Sequence, residues 1–183
     1  KISLMNQVQK LIKEVSVARS LYLEKLTNIS EIQARWKPNS EVWNMIEITE
    51  HLYWAEQGGI LGMWKTLHAI REGEMERTFE FNHKEMSIEQ VVEMTWQALE
   101  LVPPVAAPRL GGSLSFWKTS FLYMHNVLEA FAQDLQENEL RLKAQDHPIS
   151  GALDFHQRLE FLRFHIDRHR GQVSQLIATM PSP

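Results

Sequence analysis

The sequence predicts an all-α fold: an antiparallel four-helix bundle with one additional short helix, in a single domain over residues 1–183. Three observations predict it. Apolar residues recur at alternating spacings of three and four over long stretches, whereas no segment shows the period of two that a half-buried strand requires. Helix-capping pairs stand at the starts of several periodic stretches. The length is ample for one domain to bury a substantial core.

The first helix is read from Met5, Val8, Ile12, Val15, Tyr22, Leu26 and Ile29, which share a stripe over about residues 2–29. A polar connection, "SEIQARWKPNS", follows, and Pro38 ends any helical reading. The second helix opens at Asn44, whose side chain can cap it while Glu47 returns a bond to the cap's own N–H. It runs to about Ile70. Ile48, Leu52, Ala55, Gly59, Gly62 and Thr66 share one face, and its small residues would admit a close neighbour helix. The opposite side carries Ile46, Tyr53, Ile60 and Trp64, too apolar for water and expected to meet another helix or a second subunit.

Residues 71–86 are charged and aperiodic, hence a loop. Ser87 with Gln90 opens a short helix to about Leu101, and "VPPVAAPRLGGS" is irregular because prolines and glycines interrupt it. The fourth helix spans about Leu114–Leu142, with Phe121, Met124, Leu128, Phe131 and Leu135 as its stripe. After the turn "KAQDHPISGAL", Asp154 and Gln157 cap a last helix that runs to about Thr179.

Composition narrows the function. A hydrophobic share of 44% against 23% charged is a globular balance, and a net charge of -4 offers no electrostatic case for nucleic acid or an anionic membrane. With no cysteine, thiolate metal sites, disulfides and a cysteine nucleophile are excluded, and a reducing cytoplasm suits the chain. No apolar run is long enough to cross a bilayer, and "KISLMNQVQK" lacks a signal-peptide apolar region. His-Glu-x-x-His, Gly-x-Ser-x-Gly and Gly-rich phosphate-loop motifs are absent, and the one Glu-x-x-His pair, Glu80 with His83, falls in a loop.

What remains is "HIDRHRGQV". On the last helix Phe155, Leu159, Leu162, Ile166, Val173, Leu176 and Ile177 define the buried side, and His165 and His169 lie within it or at its edge. Imidazoles four residues apart on a helix are neighbours that can grip one cation, with a third ligand needed from a facing helix. His51, on the rim of the Ile48/Leu52/Ala55 face, is the candidate. Three neutral imidazoles suit Zn, Ni, Fe or Cu and leave positions open for water or substrate. The competing reading makes all three core hydrogen-bonders. His68, His125, His147 and His156 lack a partner at useful spacing and read as surface or structural.

"RWKPNSEVWNMIEITEHL", leading to His51, and "HPISGALDFHQRLEFLRFHIDRHRGQV" together resemble the DinB/YfiT-like superfamily of helical-bundle metalloenzymes. The resemblance covers nearly the whole chain. It implies a four-helix bundle holding a divalent ion (Zn, Ni, Fe or Mn) on His51, His165 and His169, and a homodimer. It also implies activity on a small-molecule substrate: transfer of a low-molecular-weight thiol cosubstrate to an electrophile, or a hydrolase-like reaction. A metal lowers the pKa of a coordinated water or thiol, which fits either chemistry. Glu47, one turn before His51, is a candidate to orient it, and Gln172 to orient a ligand or substrate, or each serves structure alone. The alternative is a non-catalytic stress-response or ligand-binding bundle with a structural metal or none.

Overall fold

The computed structural model describes residues 5–76, 80–96 and 102–181. Its helices are α1 (Gln7–Lys25), α2 (Glu31–Arg35), α3 (Met45–Arg71), α4 (Ile88–Thr95), α5 (Leu114–Asp134) and α6 (Phe155–Thr179), with a 3-10 turn at Glu137–Glu139. Among the described residues there is no strand, only isolated bridges at Lys143–Asp154 and His147–Gly151. No helix there is long and apolar enough to cross a membrane.

The caps explain where helices begin. Asn44 Oδ1 accepts from Glu47 N–H at 2.9 Å, while Glu47 accepts from Asn44 N–H at 2.7 Å. Ser87 with Gln90 and Asp154 with Gln157 repeat that exchange at the starts of α4 and α6. Asn6 with Gln9 does the same for α1, and Ser30 with Gln33 caps α2 inside the segment read as a connection. The first helix thus ends at Lys25, short of the expected Ile29, and the capping pair at Ser30 starts a separate short helix where a connection was read. The expected start of α1 and end of α4 fall on residues 1–4 and 97–101, outside the described residues.

The end of α5 differs from the periodicity. The helix stops at Asp134 although the apolar spacing continues, because Arg71 reaches across from α3 and holds that corner. Its Nη1 donates to Asp134 Oδ1 at 2.8 Å, its Nη2 to the Asp134 carbonyl at 2.6 Å, and its Nε to Glu139 Oε1 at 2.9 Å. Leu135 then turns extended.

Helices α1, α6, α3 and α5 form a four-cornered bundle, each packed on two neighbours. The contacts fix direction. Tyr22 meets Phe121, and Lys118 donates to the Leu26 carbonyl, so α1 and α5 run antiparallel. His51 meets His165 while Gly59 faces Leu162, so α3 and α6 also run antiparallel. Trp54 meets Trp117 and Arg71 meets Asp134, so α3 and α5 run parallel and require the long connection that carries α4. Side chains such as Val15, Tyr22, Leu52, Trp117, Phe121 and Phe155 fill the core.

Ile46 and Ile60, on the apolar back of α3, are buried within the chain, while Leu61 and Trp64 remain about half exposed, at 49% and 48%. On the small-residue face of α3, Gly59 faces Leu162 and Arg158 of α6 at ordinary contact distance, whereas the loop residue Gln145 occupies the space that a side chain at Gly62 would need. Helix α4 packs outside the bundle on Phe161 and Leu153. Gln157 pins the turn before it, donating to the His83 and Met86 carbonyls at 2.6 and 2.9 Å.

Candidate metal centre

His51 enters the site from the second turn of α3, and His165 and His169 enter from α6, where a spacing of four stacks their rings on one face. All three are buried. His165 Nε2 lies 3.1 Å from His51 Nε2 and 3.0 Å from His169 Nε2. One ligand atom from each falls within 4.8 Å of the others, so the three could hold one ion.

Proton positions decide whether that cluster fits a cation. His51 Nδ1 faces the Ala106 carbonyl at 2.8 Å, and His169 Nδ1 faces Gln172 Oε1 at 2.7 Å. Both partners are oxygens that only accept, so each Nδ1 carries a proton and each Nε2 of these neutral rings presents a lone pair. His165 Nε2 can donate its proton to only one of the two. At least one of the two contacts therefore leaves an Nε2 lone pair about 3 Å from a nitrogen that gives it no proton, which a cation at the centre would relieve.

The rings are neutral at physiological pH. Burial holds His51 below the ordinary histidine range. Burial, then the His51 ring, pushes His169 down to about 3. Burial and the neighbouring imidazoles hold His165 well below its usual value. Neutral imidazole is the form that ligates a metal.

The sequence-based role for Glu47 needs correction. Its carboxylate lies 3.0 Å from Lys37 Nζ and caps Asn44; it does not reach His51, which is oriented by Ala106 instead. Gln172 does orient a histidine, His169.

Glu50, adjacent to His51, was missed. Fully buried, it accepts from the N–H groups of Arg109, Leu110 and Gly111 at 2.7–2.9 Å and from Trp54 Nε1 at 3.2 Å. Burial raises its pKa, but these donors outweigh burial and hold it below the usual value. Glu50 thereby fastens the proline-rich loop whose Ala106 carbonyl sets the His51 tautomer. A carboxylate beside a site histidine was the one available signal.

His147 is structural, as expected, but it also lines the cavity. The hairpin-like loop before α6 turns at Gly151, φ +70, and carries His147 to the cavity wall against Phe161, ring centroids 4.2 Å apart. Its Nδ1 accepts from Ile149 and Ser150 N–H, which leaves the proton on Nε2. Burial, then Arg158, lowers its pKa to about 3. His68, His125 and His156 pair with Asp134, Glu129 and Glu160 away from the site.

The histidine cluster opens on a cavity of about 890 Å³. Trp43, Trp54, Trp96, Phe161 and Leu162 make its walls largely apolar, with Arg158, Arg168 and Gln145 as polar exceptions. That volume suits a small molecule, with a few polar groups to orient it.

Comparisons with known proteins agree with the geometry. A conserved protein from Enterococcus faecalis of known crystal structure superposes with a TM-score of 0.58 at 13% identity, covering 94% of this chain and 95% of that one, which shows a shared fold. No curated protein matches. A sequence model of the DinB superfamily matches residues 14–173, and the chain belongs to that superfamily.

Proposed function

We propose that this chain is a metal-dependent enzyme acting on a small molecule, by thiol transfer to an electrophile or by hydrolysis. The observation that carries the reading is the convergence of three neutral imidazoles at a cavity, with two of their Nδ1 protons fixed outward. A divalent ion such as Zn, Ni, Fe or Mn supplies acidification of a water or thiol that it binds. The chain does the rest. His51, His165 and His169 hold the ion; Ala106 and Gln172 keep their rings in register; Trp43, Trp54 and Trp96 exclude bulk water from the cavity. Three protein ligands leave positions for a reacting group, the pattern of a catalytic site, whereas a closed fourth ligand would mark a structural one.

A cytoplasmic location and a homodimer belong to the same reading. Lack of cysteine suits a reducing compartment, and the exposed Leu61 and Trp64 on α3 offer an apolar surface for self-association.

The test uses untagged protein loaded in turn with each of the four metals. Conjugation of 2-mercaptoethanol to 1-chloro-2,4-dinitrobenzene is measured beside hydrolysis of p-nitrophenyl acetate. Metal-dependent turnover of either that disappears in His165→Ala supports the proposal. Stoichiometric metal with neither activity would favour the non-catalytic bundle.

A further inference from the structure

We infer that Arg158 is the anion-binding anchor of the cavity and that the natural ligand is an elongated small molecule with a carboxylate at one end. The inference deepens the functional reading above but does not depend on a metal.

Arg158 stands on α6, seven residues before His165 on the same helical face, about 10 Å along the axis. It is 5% exposed and lines the cavity. Its Nε and Nη1 are buried without a hydrogen-bond partner, and it takes part in no ion pair among the described residues. Nη2 lies beside Gly59 on the cavity wall, where a Cβ on that residue would sit 3.6 Å away.

This arrangement is costly as it stands. A buried cation without a counter-charge loses much of its hydration, which folded proteins ordinarily recover by pairing it. Arg19, the other buried arginine among the described residues, also leaves Nε and Nη1 without a partner but has a counter-charge in Glu56. Burial lowers the Arg158 pKa to about 10, so it remains a cation at neutral pH. Its flat neighbour is Phe161, whose ring centroid is 5.9 Å from the guanidinium carbon, a contact that supplies no counter-charge.

The surroundings favour a carboxylate on an apolar body. The wall between Arg158 and the histidines is Phe161 and Leu162, which would cover an aliphatic or aromatic segment. Arg168, over the Trp96 ring at 5.4 Å, lies at the histidine end of the cavity and leaves Arg158 as the cation of the far end. The acids lining the cavity, Glu41 and Asp146, are exposed at its rim. A ligand that neutralises Arg158 with a carboxylate and extends along Phe161 would bring its far end to the histidine cluster. Substrate selection would therefore act at Arg158, two helical turns from the chemistry.

The test titrates metal-free protein with hexanoate and with hexanol, matched in length and differing in charge. Binding is followed by fluorescence of the cavity tryptophans. Wild-type protein is expected to bind hexanoate at least tenfold more tightly, and Arg158→Gln to erase that preference while keeping hexanol affinity and thermal stability. Arg168→Gln should keep most of the preference. Equal affinity of the wild-type protein for both probes would overturn the inference, and needs no variant to fold. A preference that survives in Arg158→Gln, or vanishes only in Arg168→Gln, would also overturn it. Failure of the metal reading leaves these outcomes untouched, because no metal is present.

Discussion

Arg19 and Glu56 are as thoroughly buried as the histidine cluster, but the two groups solve burial in opposite ways. In the core, Arg19 of α1 and Glu56 of α3 pair across the bundle, close to the Tyr22–Thr49 hydroxyl bond at 2.7 Å. That arrangement cancels its own charge. At the bundle's edge, His51, His165 and His169 bring together lone pairs with too few protons to join them, and the cluster borders a cavity. Buried ionic groups that find a counter-charge within the chain, as Arg19 and Glu56 do, hold helices in register; groups that could be completed only by something added mark a binding site.

Substitutions should separate the two regions. The largest effect on folding is expected from Glu56→Ala, which leaves the Arg19 guanidinium buried with no counter-charge and no accessible way to lose its proton. Urea unfolding should show a loss of about 3–5 kcal/mol with metal stoichiometry unchanged. His169→Ala should do the reverse. Its metal affinity, measured by chelator competition, should fall by more than the roughly 100-fold that loss of an outer partner can cost, with little change in unfolding. Equal effects of both substitutions on stability would erase the contrast. Gln172→Ala removes only the partner of His169 Nδ1, and a loss of about tenfold in metal affinity is expected.

A further contrast concerns the pH dependence of the metal-free protein. His51, His147, His165 and His169 have folded pKa values below 6.5, so between about 6.5 and 3 the unfolded chain binds more protons than the native one. Stability therefore falls as pH is lowered through that window. Glu56, pushed up to about 7 chiefly by burial, works in the other direction, one group against four. Urea midpoints at pH 7, 6 and 5 should decline in that order; a flat series would mean that the imidazoles are not buried neutral.

The comparison also shows what local sequence can carry. Helix starts were readable because a cap and its partner lie three residues apart, and Ser30 with Gln33 was a pair of the same type left unread. The end of α5 was hidden because Arg71, more than sixty residues away, fixes it. The three histidines were readable because each lies on a helix whose buried face is visible in its periodicity. Ala106, Glu50 and His147 were not, since their roles depend on where irregular loops fold back. Glu47 was misread for a related reason: proximity along a helix suggested a bond to His51, but Lys37 and the cap claim the carboxylate. Nothing in the sequence singles out Arg158; only the fold buries its Nε and Nη1 without a partner.

The most direct test of the account is a Co(II) titration of untagged, metal-free protein, followed by its visible ligand-field bands. Saturation at one ion per chain, with the bands lost in both His51→Ala and His165→Ala, is the predicted result. No stoichiometric binding by the wild-type protein, or the same spectrum in either variant, would contradict it.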